Sequence, residues 1–428
     1  MFADGGRTRT SLGELQSAAW GGGELPISRS DIDLTVKSMA MLRIVLLLSI
    51  LLSACRISAV EPDGGVKVGA ERTDEYLPAL RGRRVAVLAN HTAMVGDRHL
   101  VDMLCDEGVT VAGIFSPEHG FRGGADAGEH VGSSVDEKTG IPIWSLYDGD
   151  SGRPSAATMD KFDVLVVDMQ DVGLRFYTYY ITMLRMMDAC ADRGRSVIVL
   201  DRPNPNGMYV DGPILDMKYK SGVGALPIPV VHGLTMGEIA LMSRGEGWCG
   251  DCELQVVACE GYTHSTRYVL PIAPSPNLPT QHAVYLYPST CLFEGTVCSL
   301  GRGTDRPFEC YGHPDYEGGD FTFTPRSVAG AKNPPLKDRT CRGRDLRGVS
   351  DETIIERGFD LEYVIDAYRN LGMGEKFFTP MFEKLVGVGY VRRMIVEGRS
   401  ADEIRAVWQL ELEKFRTLRR RYLLYDEE

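Results

Sequence analysis

Four short polar runs hold residues able to do chemistry, and each follows an apolar stretch. They are Asn90-His91-Thr92, Ser116-Pro117-Glu118-His119-Gly120, Asp168-Met169-Gln170-Asp171 and Asp201-Arg202-Pro203-Asn204. Carboxyls at Glu118, Asp171 and Asp201 can serve as acid, base or nucleophile. Glu118 carries the most weight, because it stands between Pro117 and Gly120-Phe121-Arg122-Gly123-Gly124, whose glycines let a substrate approach the backbone closely. A structural ion pair with Arg122 is its competing role, and His119 is either a site partner or loop packing. Asp171-Val172-Gly173-Leu174-Arg175 runs into Tyr177-Thr178-Tyr179 at a helix entrance. There an anion or sugar hydroxyl can lie against the N-terminus, or Asp171 simply serves the helix dipole. His232, Glu294-Gly295-Thr296 and Gly301-Arg302-Gly303-Thr304 add polar groups in turns.

Other chemistries lack their residues. The 8 histidines are dispersed, with no His-Glu-x-x-His and no pair at i, i+4, so no metal is expected. Cys249-Gly250-Asp251-Cys252 has no second pair at zinc-ribbon spacing and reads as a disulfide or two plain thiols. The turn after the first strand has no Gly-x-Gly-x-x-Gly, no P-loop occurs, and no Gly-x-Ser-x-Gly elbow is present. No cofactor is therefore expected. Lys plus Arg total 47 against 59 Asp plus Glu, a net charge of −12. That balance argues against a general nucleic-acid or anionic-membrane surface and for a small or neutral partner.

The elements that must position these residues follow from periodicity. Arg84–Ala89, Val109–Phe115, Ile143–Leu146, Val164–Val167 and Val197–Leu200 are nearly continuous apolar runs, as expected of strands buried on both faces. Asp97–Glu107, Ser155–Phe162 and Tyr177–Arg193 have helical spacing between them. This βαβ succession predicts an α/β fold with a doubly wound, mostly parallel sheet, whose strand-end turns gather along one edge. Thr235 and Glu238 form a capping box that opens another helix. Residues 262–345 read as irregular and loop-dominated, with a strand-like piece at Phe321-Thr322-Phe323. The end is helical again, from Phe359 to Asn370 and then in a long helix capped by Ser400 and Glu403. That helix is expected to bury Ile404, Val407, Trp408, Leu412 and Phe415. The expected domains are 67–260 and a smaller α+β domain over 261–428.

The N-terminus reads as targeting sequence. Residues 1–38 look like a leader from a start placed too early. Residues 39–54 read as a lipoprotein signal, because Leu52-Ser53-Ala54-Cys55 ends an apolar run too short to span a bilayer. Lipid on Cys55, a tether over 55–66 and an envelope location are the expectation. Of 10 cysteines, nine would remain after lipidation, leaving at least one unpaired. Cys105 and Cys190 fall in helices as apolar fillers.

Ser116 to Gly123, Asp168 to Tyr179, Asp201 to Pro205, Ser275-Pro276-Asn277-Leu278-Pro279, Glu294-Gly295-Thr296, Gly301 to Thr304 and Arg421-Tyr422-Leu423-Leu424-Tyr425 occur in that order. Together they resemble the NamZ-type exo-β-N-acetylmuramidases, a family formerly catalogued as a domain of unknown function. His91 stands where the resemblance would place Gln. The resemblance implies a Rossmann-like domain, a smaller C-terminal domain and a cleft between them. It also implies release of N-acetylmuramic acid from the non-reducing end of peptidoglycan fragments, with the family's proposed catalytic Glu falling on Glu118. Glycoside cleavage needs a second carboxylate about 5–5.5 Å away for retention or about 6.5–9.5 Å away for inversion, or else internal attack by the 2-acetamido group. Asp171, Asp201 and Glu294 are the candidates. A lactyl carboxylate would be met by Arg122, Arg175 or Arg302. Further substrate contacts are expected from Asn90, His119, Tyr177, Asp201, Asn204 and His232. A non-catalytic muropeptide-binding lipoprotein using the same cleft is the alternative. A cofactor-dependent α/β enzyme is the third reading.

Overall fold

The computed structural model of the protein describes residues 65–117, 121–122, 134–146 and 153–428. Glu118, His119 and Cys55, together with the expected leader and signal segments, lie outside the described residues. Seven strands form the main sheet: β1 (Arg84–Ala89), β2 (Thr110–Phe115), β3 (Ser134–Val135), β4 (Pro142–Trp144), β5 (Val164–Asp168), β6 (Ser196–Leu200) and β7 (Leu254–Val257). Their spatial order is β3-β4-β2-β1-β5-β6-β7, and every pairing is parallel except β3 with β4. Leu88 stands beside both Phe115 and Val167, so the turns after β1, β2 and β5 emerge on one edge.

Alternate strand residues feed two separate cores, which is why these strands read as continuous apolar runs. Ala86, Leu88, Leu165, Val167 and Val199 face one side, packed with Tyr180, Met183 and Met187 of α4 (Tyr179–Asp192) and Ile239 and Met242 of α5 (Met236–Gly245). Val85, Val87, Ile114, Val166 and Ile198 face the other. There they meet Tyr76 and Leu80 of α1 (Thr73–Leu80) and Leu100, Met103 and Leu104 of α2 (Leu100–Asp106). A four-residue turn of helix, α3 (Ala156–Met159), is all that forms within the helix expected over 155–162. Cys105 is exposed rather than a buried filler, and Cys249 and Cys252 are free thiols.

The sequence after 262 is more ordered than expected. Thr280 accepts from the Ala283 amide at 3.0 Å and starts α6 (Gln281–Thr290), a fully formed helix despite Pro288 inside it. β8 (Cys310–His313), β9 (Phe321–Phe323) and β10 (Cys341–Asp345) make a small antiparallel sheet in the order β8-β10-β9. Five helices close the chain: α7 (Asp351–Arg357), α8 (Glu362–Leu371), α9 (Met381–Val386), α10 (Tyr390–Val396) and α11 (Ala401–Arg419). The Ser400–Glu403 capping box opens α11, which buries Ile404, Trp408, Leu412 and Phe415 while Val407 is exposed.

Candidate functional site

The turns at the carboxyl edge of the sheet are fixed by side chains folding back on their own strands. Asn90 is buried beyond β1, and its Oδ1 accepts from the Thr92 amide at 3.1 Å and the Thr92 hydroxyl at 2.6 Å. The Gln170 amide donates to Thr92 Oγ1 at 3.0 Å, which ties the ends of β1 and β5 together. Asn90 Nδ2 is buried with no partner. Next to it, Arg202 grips Asp168 at two points, 2.5 and 2.9 Å, with both side chains buried.

Past β5 the chain turns sharply to enter α4. Asp171 Oδ1 accepts from the Gly173 amide at 2.7 Å, and Gly173 sits at φ +79, where a Cβ would collide with the Asn204 side chain. Burial pushes the Asp171 carboxyl up to about 7, against the pull of the Gly173 and Val172 amides, and its Oδ2 has no partner. It is therefore held neutral below pH ~7, an internal acid beside the turn. Its charge and that of Tyr179 add to burial in raising the Tyr177 phenol.

Several expected substrate contacts are committed elsewhere. The buried Arg175 guanidinium donates to the carbonyls of Pro213, Ile228, Leu385 and Val386 at 2.7–2.9 Å. Asp201 accepts from Thr235 Oγ1 and Tyr425 Oη, both at 2.6 Å, and from the Gly237 amide at 2.8 Å, so it anchors the start of α5. Burial raises it to about 6 despite those donors. Asn204 donates to Leu234 O at 2.9 Å and accepts from the Asn206 amide at 2.8 Å. His232 accepts from the Leu234 amide through Nδ1 at 3.2 Å. Burial, helped by Arg419 and Arg175, lowers it to about 3 and leaves the ring neutral. These four residues build turns and helix starts, and most of their polar groups are used by the protein itself; Arg175 Nε and His232 Nε2 are buried without a partner among the described residues. Arg122 bonds Asp136 at 2.7 and 2.8 Å and Asp102 at 3.2 Å, and it holds the Asp136 carboxyl down to about 2.

Three expected residues do come together. A pocket of about 170 Å³ forms where the β5–α4 turn meets segment 275–278, α6 and the turns after it. Tyr177, Glu294 and Arg302 line it, with Tyr179, Asn277, Tyr287 and Phe308. Tyr177 packs edge-on against Tyr179 at 4.8 Å, Tyr287 does so against Phe308 at 4.7 Å, and Tyr177 Oη donates to Pro274 O at 2.9 Å. Arg302 Nη1 donates to Glu294 Oε1 at 2.8 Å. Asn277 donates to Gly330 O at 2.9 Å. Tyr287 and Phe308 carried no sequence motif; Asn277 did, in Ser275-Pro276-Asn277-Leu278-Pro279.

A small pocket of aromatic faces, amides and one ion pair, set beside the strand-end turns of a mostly parallel sheet in an α/β protein, has the size and polar groups to orient a compact polar ligand. Comparison with known proteins makes the class specific. Residues 85–282 match the family described as exo-beta-N-acetylmuramidase NamZ, N-terminal, and residues 285–425 match its C-terminal counterpart. Peptidoglycan beta-N-acetylmuramidase NamZ of Bacillus subtilis (strain 168) is 36% identical over 371 residues, 82% of this chain and 89% of the relative. Two crystal structures of DUF1343 family proteins from Bacteroides fragilis NCTC 9343 share the fold. One is 57% identical with a TM-score of 0.80, covering 85% of this chain and 99% of that one. The other is 26% identical with a TM-score of 0.71, covering 84% and 99%. The chain belongs to the NamZ exo-β-N-acetylmuramidase family of glycoside hydrolases.

Proposed function

We propose that the protein is an exo-acting β-N-acetylmuramidase that removes N-acetylmuramic acid from the non-reducing end of peptidoglycan-derived muropeptides or disaccharides, in cell-wall turnover. The observation that carries this reading is the Arg302–Glu294 pair inside an aromatic pocket of about 170 Å³, on a chain of the NamZ family. A pocket of that size suits one sugar end rather than the middle of a polymer. Counted along the chain, the six parallel strands lie in the order 3-2-1-4-5-6, which supports a Rossmann-like sheet with its ligand at the point where the order reverses.

Ser116 and Pro117 leave the end of β2 beside β1, Glu118 is next in the sequence, and in this reading it protonates the glycosidic oxygen. Glu294 is the second carboxylate, since Asp201 is consumed by three donors and Asp171 is buried and does not line the pocket. Arg302 uses Nη1 for Glu294 and has its remaining N–H groups for the lactyl carboxylate of the sugar. The protein is held at the cell envelope by lipid on Cys55; Cys55→Ser would release it to the soluble fraction. The test of function is product analysis on two disaccharides, one ending in N-acetylmuramic acid and one in N-acetylglucosamine. Free N-acetylmuramic acid from the first and no hydrolysis of the second is the expected result; cleavage of both, or of neither, rejects the reading.

A further inference from the structure

We propose that a second pocket, separate from the sugar site, binds a small amino-acid zwitterion. It measures about 210 Å³ and lies at the carboxyl ends of β1, β5 and β6, where open parallel sheets place ligands. Glu71, Gln170 and Arg202 line it together with Val68, Met94 and Ile272.

Its polar side chains line the pocket and, among the described residues, are incompletely used. Arg202 is 6% exposed; Nε and Nη2 are spent on Asp168 and the Met94 carbonyl, and Nη1 has no partner. Gln170 is 4% exposed; its Nε2 donates to Asp171 O and Pro203 O, both at 2.8 Å, and its Oε1 has no partner. Glu71 Oε2 accepts from the Val68 amide at 2.9 Å, and Oε1 has no partner. These three side chains therefore offer the pocket one donor group and two acceptors.

Charge selects among ligands that fit such a set. Asp168 already neutralises Arg202, so Glu71 leaves the pocket net negative and a bare anion is repelled. A bare cation gives the Arg202 Nη1 protons no acceptor and so forgoes one charge-assisted hydrogen bond. A molecule with a carboxylate for Arg202 and an ammonium for Glu71 and Gln170 satisfies both, and a short apolar side chain meets Val68, Met94 and Ile272. The wall between this pocket and the sugar site is the segment through Ala273 and Pro274, whose carbonyls contact His91 Nε2 and Tyr177 Oη, both at 2.9 Å. The proposal stands whether or not the sugar reading does.

Calorimetric titration of the full chain with alanine, propionate and ethylammonium tests it. Alanine is expected to bind at least about tenfold more tightly than either single-charge analogue, since each lost charge-assisted bond is worth about one decade. Glu71→Gln, which keeps an acceptor for the Val68 amide, should weaken alanine about tenfold and leave propionate no weaker. Ile272→Trp should fill the space and abolish binding, with circular dichroism showing the fold retained. No binding of alanine, equal binding of all three probes, an unchanged alanine affinity in Glu71→Gln, or full binding in folded Ile272→Trp would overturn it.

Discussion

Asp171 links burial to a measurable pH dependence. A carboxyl free in the unfolded chain titrates near pH ~4, whereas this one is pushed up to about 7 in the folded protein. The folded state binds the proton more tightly, so the stability contributed is fully present below pH ~4 and is lost as pH rises through about 7. His232 works in the opposite sense: lowered to about 3, it contributes stability above pH ~6.5 that is lost as pH falls. The difference between wild type and Asp171→Asn isolates the carboxyl, since Asn keeps an acceptor for the Gly173 amide. We expect the Tm of Asp171→Asn, relative to wild type, to rise between about pH 5 and about pH 8; a difference independent of pH contradicts the assignment. Arg302 gives a second test. Arg302→Met should lower kcat/KM on a muramoyl substrate about 10- to 100-fold, the worth of one charge-assisted pair. Arg122→Met should cost little there, because that guanidinium already serves Asp136 and Asp102. Equal losses in the two variants would count against the pocket as the sugar site.

At the scale of elements, the irregular C-terminal tail acts as a strap across the end of β6. Tyr425 Oη donates to Asp201 Oδ2 at 2.6 Å and accepts from the Cys259 amide at 2.9 Å, while the Leu424 amide donates to Glu238 at 2.8 Å. Tyr425→Phe leaves the buried Cys259 amide without its acceptor and takes one of three donors from Asp201, and should cost about 1–3 kcal/mol, read as a lowered urea midpoint at unchanged slope. No change in midpoint would show the strap to be idle. Which elements were legible in sequence follows from what makes them. Five parallel strands announced themselves because both faces are buried, and α5 and α11 because their capping boxes are local. β7 is an edge strand with Leu254, Gln255 and Val256 only half-buried, so its apolar run was too short to stand out. α6 was hidden by Pro288, which normally argues against a helix. The site divided in the same way. Tyr177, Glu294 and Arg302 sat in glycine-containing turns that sequence can mark. The commitment of Arg175 to four carbonyls, two of them more than 200 residues away, depends on tertiary packing that no spacing encodes.

Over the described body as a whole, one hydrophobic cluster runs from Leu88 of β1 through Tyr180 of α4 to Trp408 and Phe415 of α11. Arg175 crosses the same ground, joining the β5–α4 turn to Leu385 and Val386, and a Cβ on Gly387 would lie 2.5 Å from its Nη2. The parts matched by the two family descriptions are therefore expected to unfold together in calorimetry; two resolved transitions would contradict this. Arg175→Met, which strands four carbonyls, should cost about 3–5 kcal/mol without separating the transitions. A fold this continuous holds the strand-end turns in register, and the proposed activity depends on what one of them supplies. The most direct measurement is kcat on a chromogenic β-N-acetylmuramide for wild type and Glu118→Gln. Loss of the acid should lower kcat by about 10²- to 10⁴-fold with the folded state unchanged. A variant that keeps more than about a tenth of the wild-type kcat would contradict the central claim.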